Sequence, residues 1–215
     1  DFCLSRGLGD VYKRQSVRSV TLVDLDSAIT KLFSSHELLT SLNTGSLSSP
    51  KVTVVNADAF VWLRENKRVF DFIVIDFPDP SNFSLGKLYT NTFYRLVHQA
   101  LSDTGVAVIQ STSPYVARKS FWCVVNTLAS VGFRTTPYHL FVPSFGEWGY
   151  VVATKGAFVM PQRFPAGLRF ITAETARDML SFPPDMAKVG TEVNRLNNQA
   201  LVRYFDDEWS KYIVH

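Results

Sequence analysis

Phe70-Asp71-Phe72-Ile73-Val74-Ile75-Asp76-Phe77-Pro78-Asp79-Pro80 reads as a strand that runs directly into a rigid loop. Its apolar run is nearly continuous and β-branched, the pattern of a strand buried on both faces. Two prolines then keep the chain extended, with Asp76 and Asp79 three positions apart. Working outward, the same kind of run recurs at Ser19–Asp24 (SVTLVD) and Lys51–Asp58 (KVTVVNAD), each closing on an aspartate. A further run, Val106–Gln110, closes on an amide. Amphipathic stretches at Ser27–Leu42, Ala59–Asn66, Thr92–Leu101 and Arg118–Val131 lie between and after these runs and predict helices. Strands alternating with helices at this spacing predict βαβ units, a mostly parallel α/β sheet and right-handed crossovers.

The pattern changes beyond Val131. Tyr138–Val142 and Trp148–Thr154 are strand-like and are joined by Pro143-Ser144-Phe145-Gly146-Glu147, which predicts a terminal antiparallel hairpin. Lys155–Gly167 reads as a linker, and Thr172–Leu180 and Glu192–Tyr212 read as helices of a C-terminal extension. The expected organisation is a sheet domain over residues 16–156, followed by the linker and helical extension over 157–215.

Composition narrows the function classes. The 215 residues are 46% hydrophobic and 19% charged, which excludes a disordered chain. A net charge of +3, with Lys and Arg scattered, gives no electrostatic footprint for nucleic acid. Cys3 and Cys123 form no metal or redox spacing, so a reducing compartment is expected. His98 and His139 have no metal partner at ligand spacing and read as structural or surface residues; no metal is expected. Tyr89, Tyr94, Trp122 and Trp148 read as core.

In an open parallel sheet, ligands bind outside the carboxyl ends of the strands. Three strands deliver carboxylates there: Asp24 with Asp26, Asp58, and Asp76 with Asp79. An acid after one strand can hold both hydroxyls of a ribose, and an acid after the next can take the exocyclic amine of an adenine. The joint pattern suggests an adenosine-bearing co-substrate. Each aspartate taken alone has a plainer reading as a turn former or helix N-cap, Asp26 above all. Asp76 and Asp79, aimed by a rigid loop, would attract a cationic amine and accept its proton. A like-charged neighbour is expected to raise their proton affinity. Gln110 would offer an amide to the same cleft.

These residues, with Val23-Asp24-Leu25-Asp26, Asn56-Ala57-Asp58-Ala59, Leu88-Tyr89 and Phe93-Tyr94, stand in the order found in spermidine synthases, and the chain resembles that family from about Ser16 to its end. Val142-Pro143-Ser144-Phe145-Gly146-Glu147-Trp148-Gly149-Tyr150 is similar to the bacterial spermidine-synthase-like proteins that carry membrane-spanning helices ahead of this domain. So are Phe182-Pro183-Pro184-Asp185-Met186 and Val193-Asn194-Arg195-Leu196. The resemblance implies a Rossmann-like polyamine aminopropyltransferase. It would move an aminopropyl group from decarboxylated S-adenosylmethionine to putrescine, giving spermidine and methylthioadenosine. By position, the resemblance implies that Asp24 binds the ribose and that Asp58 with Ala59 binds the adenine. It implies that Asp76 accepts the proton of the attacking amine and that Asp79 helps hold the diamine. It also implies a cytoplasmic domain whose parent is anchored in the bacterial inner membrane, and soluble relatives form homo-oligomers.

The chain departs from the family in three places. Asp79 is followed by Pro80-Ser81-Asn82-Phe83, without the Gly and Pro usual there. Phe145 replaces a tyrosine near the diamine. The glycine-rich loop after the first strand has only Gly7-Leu8-Gly9-Asp10 as a stand-in, with Asp10 just 14 residues before Asp24. Residues 1–15 are therefore expected to be non-native, with native sequence beginning near Ser16. On that expectation the chain is a fragment without the first strand and glycine loop, its sheet is open at the centre, and its activity is in question. Other readings stay open beside this one. One is a methyltransferase using S-adenosylmethionine itself. Another is a non-catalytic polyamine- or nucleoside-binding module. A dinucleotide oxidoreductase has only the generic sheet in its favour.

Overall fold

The structure, a computed structural model, describes residues 17–165 and 167–212. The expected non-native segment, residues 1–15, and its glycines lie outside the described residues. The chain divides between Asn66 and Lys67 into two compact units, and the described strands form two separate sheets.

In the smaller unit β1 (Val20–Asp24) and β2 (Val52–Asn56) pair in parallel, with Asp24 opposite Asn56. They are connected through α1 (Ser27–Ser35), α2 (Glu37–Leu42) and a 3-10 turn at Ser46–Ser48; α3 (Ala59–Glu65) follows β2. The single helix expected over Ser27–Leu42 is two. His36 sits extended at φ −78°, ψ 123°, so it ends α1 while its N–H still reaches Leu32 O. Aspartates start the helices at the strand ends. Asp26 Oδ1 accepts from Ala28 and Ile29 N–H, and Asp58 Oδ1 from Phe60 and Val61 N–H. Such caps contribute about 1 kcal/mol each. The fully buried residues described here are polar: Thr30, Asn43 and Ser46. Asn43 donates to Phe33 O at 2.8 Å and accepts from Ser46 N–H at 3.2 Å, fixing the turn after α2.

In the larger unit β3 (Phe70–Ile75), β4 (Leu101–Gln110), β5 (Arg134–Val142) and β6 (Gly146–Thr154) form one sheet in the order β3-β4-β6-β5. The β3–β4 pair is parallel and the others are antiparallel, as expected of an α/β sheet ending in a hairpin. Its helices are α4 (Phe83–Gly86), α5 (Asn91–Ala100), α6 (Arg118–Ala129), α7 (Ala173–Asp178) and α8 (Ala200–Trp209). β4 begins at Leu101 rather than Val106. A register break between Phe70 and Phe72 absorbs the polar residues Ser102–Gly105, which sequence alone presents as a loop. Burial of β3 on both faces is not what the structure shows. Phe72 and Val74, two apart and so on one face, are 56% and 57% exposed.

The helix expected over Glu192–Tyr212 is confined to α8. Residues 192–199 are irregular because Asn194 is fully buried and bonded on every side. Its N–H donates to Thr127 Oγ1, its amide to Gly86 O, its Oδ1 accepts from Leu201 N–H and its carbonyl from Asn91 N–H. Non-helical chain can be buried only when its polar groups are paired in this way. The packing centre is α6, which buries Phe121, Trp122, Cys123, Val124, Val125 and Leu128. Each large side chain so buried contributes roughly 1.5–3 kcal/mol.

The first turn of α6 has unpaired N–H groups, and Ala117 at the cap position has no side chain to offer them. Glu208 of α8 supplies the acceptor. Its carboxylate takes Lys119 N–H at 2.7 Å, Ser120 N–H at 3.0 Å and Ser120 Oγ at 2.8 Å. Glu208→Ala is expected to lower the unfolding free energy by about 1–3 kcal/mol, measured by denaturant titration. Glu208→Gln, which keeps one acceptor oxygen, should fall between. An unmoved midpoint in Glu208→Ala would show that α6 does not need the tail.

Candidate active site

The loop after β3 is fixed from below. Phe77 packs edge-on against Tyr89 and Phe93, at ring centroid distances of 6.4 and 5.6 Å. Pro80 is buried. The Tyr89 hydroxyl, itself buried, reaches both Phe77 O and Pro78 O at 3.1 Å. Asp76 and Asp79 are thus carried on a loop with few freedoms, at the carboxyl end of a parallel strand.

Asp79 is held by a closed set of hydrogen bonds. Gln110, the last residue of β4, donates its amide to Asp79 Oδ1 at 3.1 Å, and Thr112 donates its hydroxyl to Oδ2 at 3.3 Å. Gln110 Oε1 in turn accepts Thr112 N–H at 3.0 Å. Burial raises the proton affinity of Asp79, and the bonds from Gln110 and Thr112 oppose that rise. Burial also raises that of Asp76, which accepts no hydrogen bond among the described residues. The lift in both comes first from desolvation, where the sequence suggested the neighbouring carboxylate.

In the smaller unit Asp24 and Asp58 stand at the carboxyl ends of β1 and β2. Asp24 Oδ1 accepts Asp26 N–H at 2.8 Å, which shapes the turn. Asn56 Nδ2 donates to Asp24 O and to Thr30 Oγ1, tying the two strand ends to α1. Asp58 caps α3, and Ala59 is the first residue of that helix. The plainer reading of a strand-end aspartate is therefore realised at both Asp26 and Asp58. The structure brings Gln110, at the end of β4, to Asp79, which shares its loop with Asp76; Asp24, Asp58 and Ala59 belong to the smaller unit.

Sequence reasoning missed three residues here. Tyr89 is core, as expected, but is also the clamp on the aspartate loop. Thr112 gave no sequence signal. Gly149 could have been noticed, because a glycine inside a strand marks a close approach. A Cβ there would lie 2.5 Å from the Phe121 ring and 2.8 Å from Thr112 O. His139 has a structural role, as read from sequence. Nε2 is 2.7 Å from Ser181 O, Nδ1 is hydrogen-bonded to Glu147 Oε1, and its backbone N–H reaches Met179 O. No group of three His, Cys, Asp or Glu side chains able to hold a metal occurs among the described residues.

A Rossmann-like α/β chain with acids at its strand ends is the class that fold and site define. Residues 7–160 match the Spermine/spermidine synthase domain. The chain is 52% identical over 204 residues to a polyamine aminopropyltransferase of Leptospira interrogans, covering 95% of this chain and 41% of that protein. It is also 52% identical over 204 residues to polyamine aminopropyltransferase 2 of Ralstonia nicotianae, covering 94% and 40%. It superposes on the crystal structure of spermidine synthase from Thermotoga maritima with a TM-score of 0.71 at 25% identity, covering 83% of this chain and 62% of that one. A spermidine synthase in complex with the transition state analogue AdoDATO gives 0.72 at 26% identity, covering 83% and 63%. The chain belongs to the spermine/spermidine synthase family, and it spans about two fifths of the length of the curated relatives it matches.

Burial of Asp76 has a pH signature. A raised carboxyl pKa in the folded state favours the protonated form. Stability from it is present below the ordinary value of 3.8 and is lost as pH rises through the folded value. Asp76→Asn, which stays neutral, should therefore unfold at higher denaturant than wild type at pH 7. That gain should vanish as the pH falls to 3.8. A gain constant with pH would show that Asp76 ionises as freely as in water.

Proposed function

We propose that this chain carries the aminopropyl-transfer site of a polyamine aminopropyltransferase, and the single observation that carries the reading is the rigid Asp76–Asp79 loop. Its carboxylates have raised proton affinity and one of them is held by Gln110 and Thr112. The donor would be decarboxylated S-adenosylmethionine and the acceptor putrescine or a related diamine. The amine nitrogen attacks the aminopropyl carbon bonded to sulfur. The carbon–sulfur bond breaks with its electron pair going to sulfur, and methylthioadenosine leaves as a neutral thioether. The nitrogen loses a proton to Asp76. A sulfonium needs no acid to help it leave, so the protein's task is to position and deprotonate the amine.

Asp79 would hold the ammonium, with Gln110 fixing its carboxylate. Asp24 would take the ribose hydroxyls of the donor, and Asp58 with Ala59 the adenine. A methyltransferase would bring the methionine carboxylate of its co-substrate to the paired Asp76 and Asp79, an unfavourable pairing that a decarboxylated donor avoids. The family name of the relatives and the analogue-bound neighbour support the same choice. The resemblance of Val142–Tyr150 to membrane-anchored members supports a cytoplasmic domain tethered to the bacterial inner membrane. None of the described helices is itself long and apolar enough to cross a membrane.

The test is methylthioadenosine release by the full-length protein from decarboxylated S-adenosylmethionine and a panel of diamines. Asp76→Asn should lower kcat by about 10²–10⁴ while leaving donor binding intact. No release with any diamine, or full activity in Asp76→Asn, would sink the reading.

A further inference from the structure

Thr112 is the one described residue of the larger unit besides Gln199 that combines a side chain beyond glycine with a positive φ, here 60°. A β-branched residue is an outlier in that region, and such outliers persist only where their surroundings over-determine them. Four hydrogen bonds do so. Thr112 N–H donates to Gln110 Oε1, and Thr112 O accepts Gly149 N–H at 2.8 Å. Ser111 N–H donates to Gly149 O at 3.0 Å, extending the β4–β6 ladder past Gln110 and Tyr150. The Thr112 hydroxyl then donates to Asp79 Oδ2.

Gly149 makes the approach feasible, because any Cβ would strike the Phe121 ring and Thr112 O. The left-handed turn puts the Thr112 hydroxyl and the Gln110 amide on opposite oxygens of one carboxylate. The orientation of the Gln110 amide is also set, since its oxygen must face Thr112 N–H and its nitrogen therefore faces Asp79. A carboxylate that accepts one donor on each oxygen cannot rotate freely, yet each oxygen keeps acceptor capacity for a further donor.

We propose that Thr112, held in its left-handed turn by Gly149, is a positioning residue that fixes the Asp79 carboxylate for the ammonium of the acceptor amine and so sets acceptor affinity. The inference rests on the aminopropyl-transfer reading of the same site and adds to it a determinant outside the aspartate loop. Thr112 touches neither the donor nor the reacting carbon in this scheme, so its loss should act on one substrate only.

The experiment uses the full-length protein, with steady-state kinetics for both substrates and calorimetric binding of 1,4-diaminobutane. Thr112→Val keeps the shape and removes the hydroxyl. It should raise the KM for the diamine about tenfold or more, with the donor KM unmoved and kcat falling less than KM rises. Thr112→Ser should recover most of the affinity. Thr112→Gly separates the hydroxyl from the backbone: it relieves the positive φ, so it should fold at least as stably as wild type and still show the weak diamine KM. If wild type turns over and neither Thr112→Val nor Thr112→Gly shifts the diamine KM, the inference falls and the functional reading stands. If wild type releases no methylthioadenosine, the functional reading falls, and calorimetry decides the clamp alone. Weaker diamine binding in Thr112→Val then upholds it, and unchanged binding or none in wild type overturns it.

Discussion

Burial of α6 along most of its length is the constraint on which the larger unit depends. A helix with Phe121, Trp122, Val124 and Leu128 all inside must be covered on several sides, and its first-turn N–H groups need acceptors. The hairpin covers one side, with Gly149 giving way to the Phe121 ring. The C-terminal tail covers another. Arg118 Nε donates to Ala187 O, Trp122 Nε1 to Met186 O, Asn126 to Thr191, and Glu208 receives the first-turn amides. These bonds join positions far apart in sequence, so the tail is part of the folded unit and not an appendage to it. The same helix therefore links the tail to the site: it fixes Gly149 on one side, and Gly149 fixes Thr112.

What sequence could reveal follows from how local each cause is. The strand ends at Asp24, Asp58 and Asp76, and the helices beginning after Asp26 and Asp58, rest on neighbouring residues and were legible. So was the hairpin, whose link is rich in turn formers. The break at His36 was not legible, since neither a glycine nor a proline marks it and the amphipathic pattern runs on through it. The irregular stretch before α8 was illegible for a different reason. Its conformation is set by Asn194 bonding to Thr127, Gly86 and Asn91, none of them near it in sequence. Of the site, the acids and Gln110 could be read from strand-end position alone. Thr112 could not, because threonine carries no local preference for a left-handed turn.

The two carboxylates on the β3 loop also illustrate how environment divides labour between identical groups. Both are desolvated, which raises proton affinity and disfavours the anion. At Asp79 two donors stabilise the anion and oppose that rise. At Asp76 no such bond is described. In the proposed reaction this is the required asymmetry. A group that holds an ammonium must be ionised, and hydrogen bonds to its oxygens favour that form. A group that removes a proton from an amine must want that proton, and a desolvated carboxylate wants it more than one in water does. Exchanging their surroundings would leave the same two side chains in the same loop, with a poorer base and a less reliable anion.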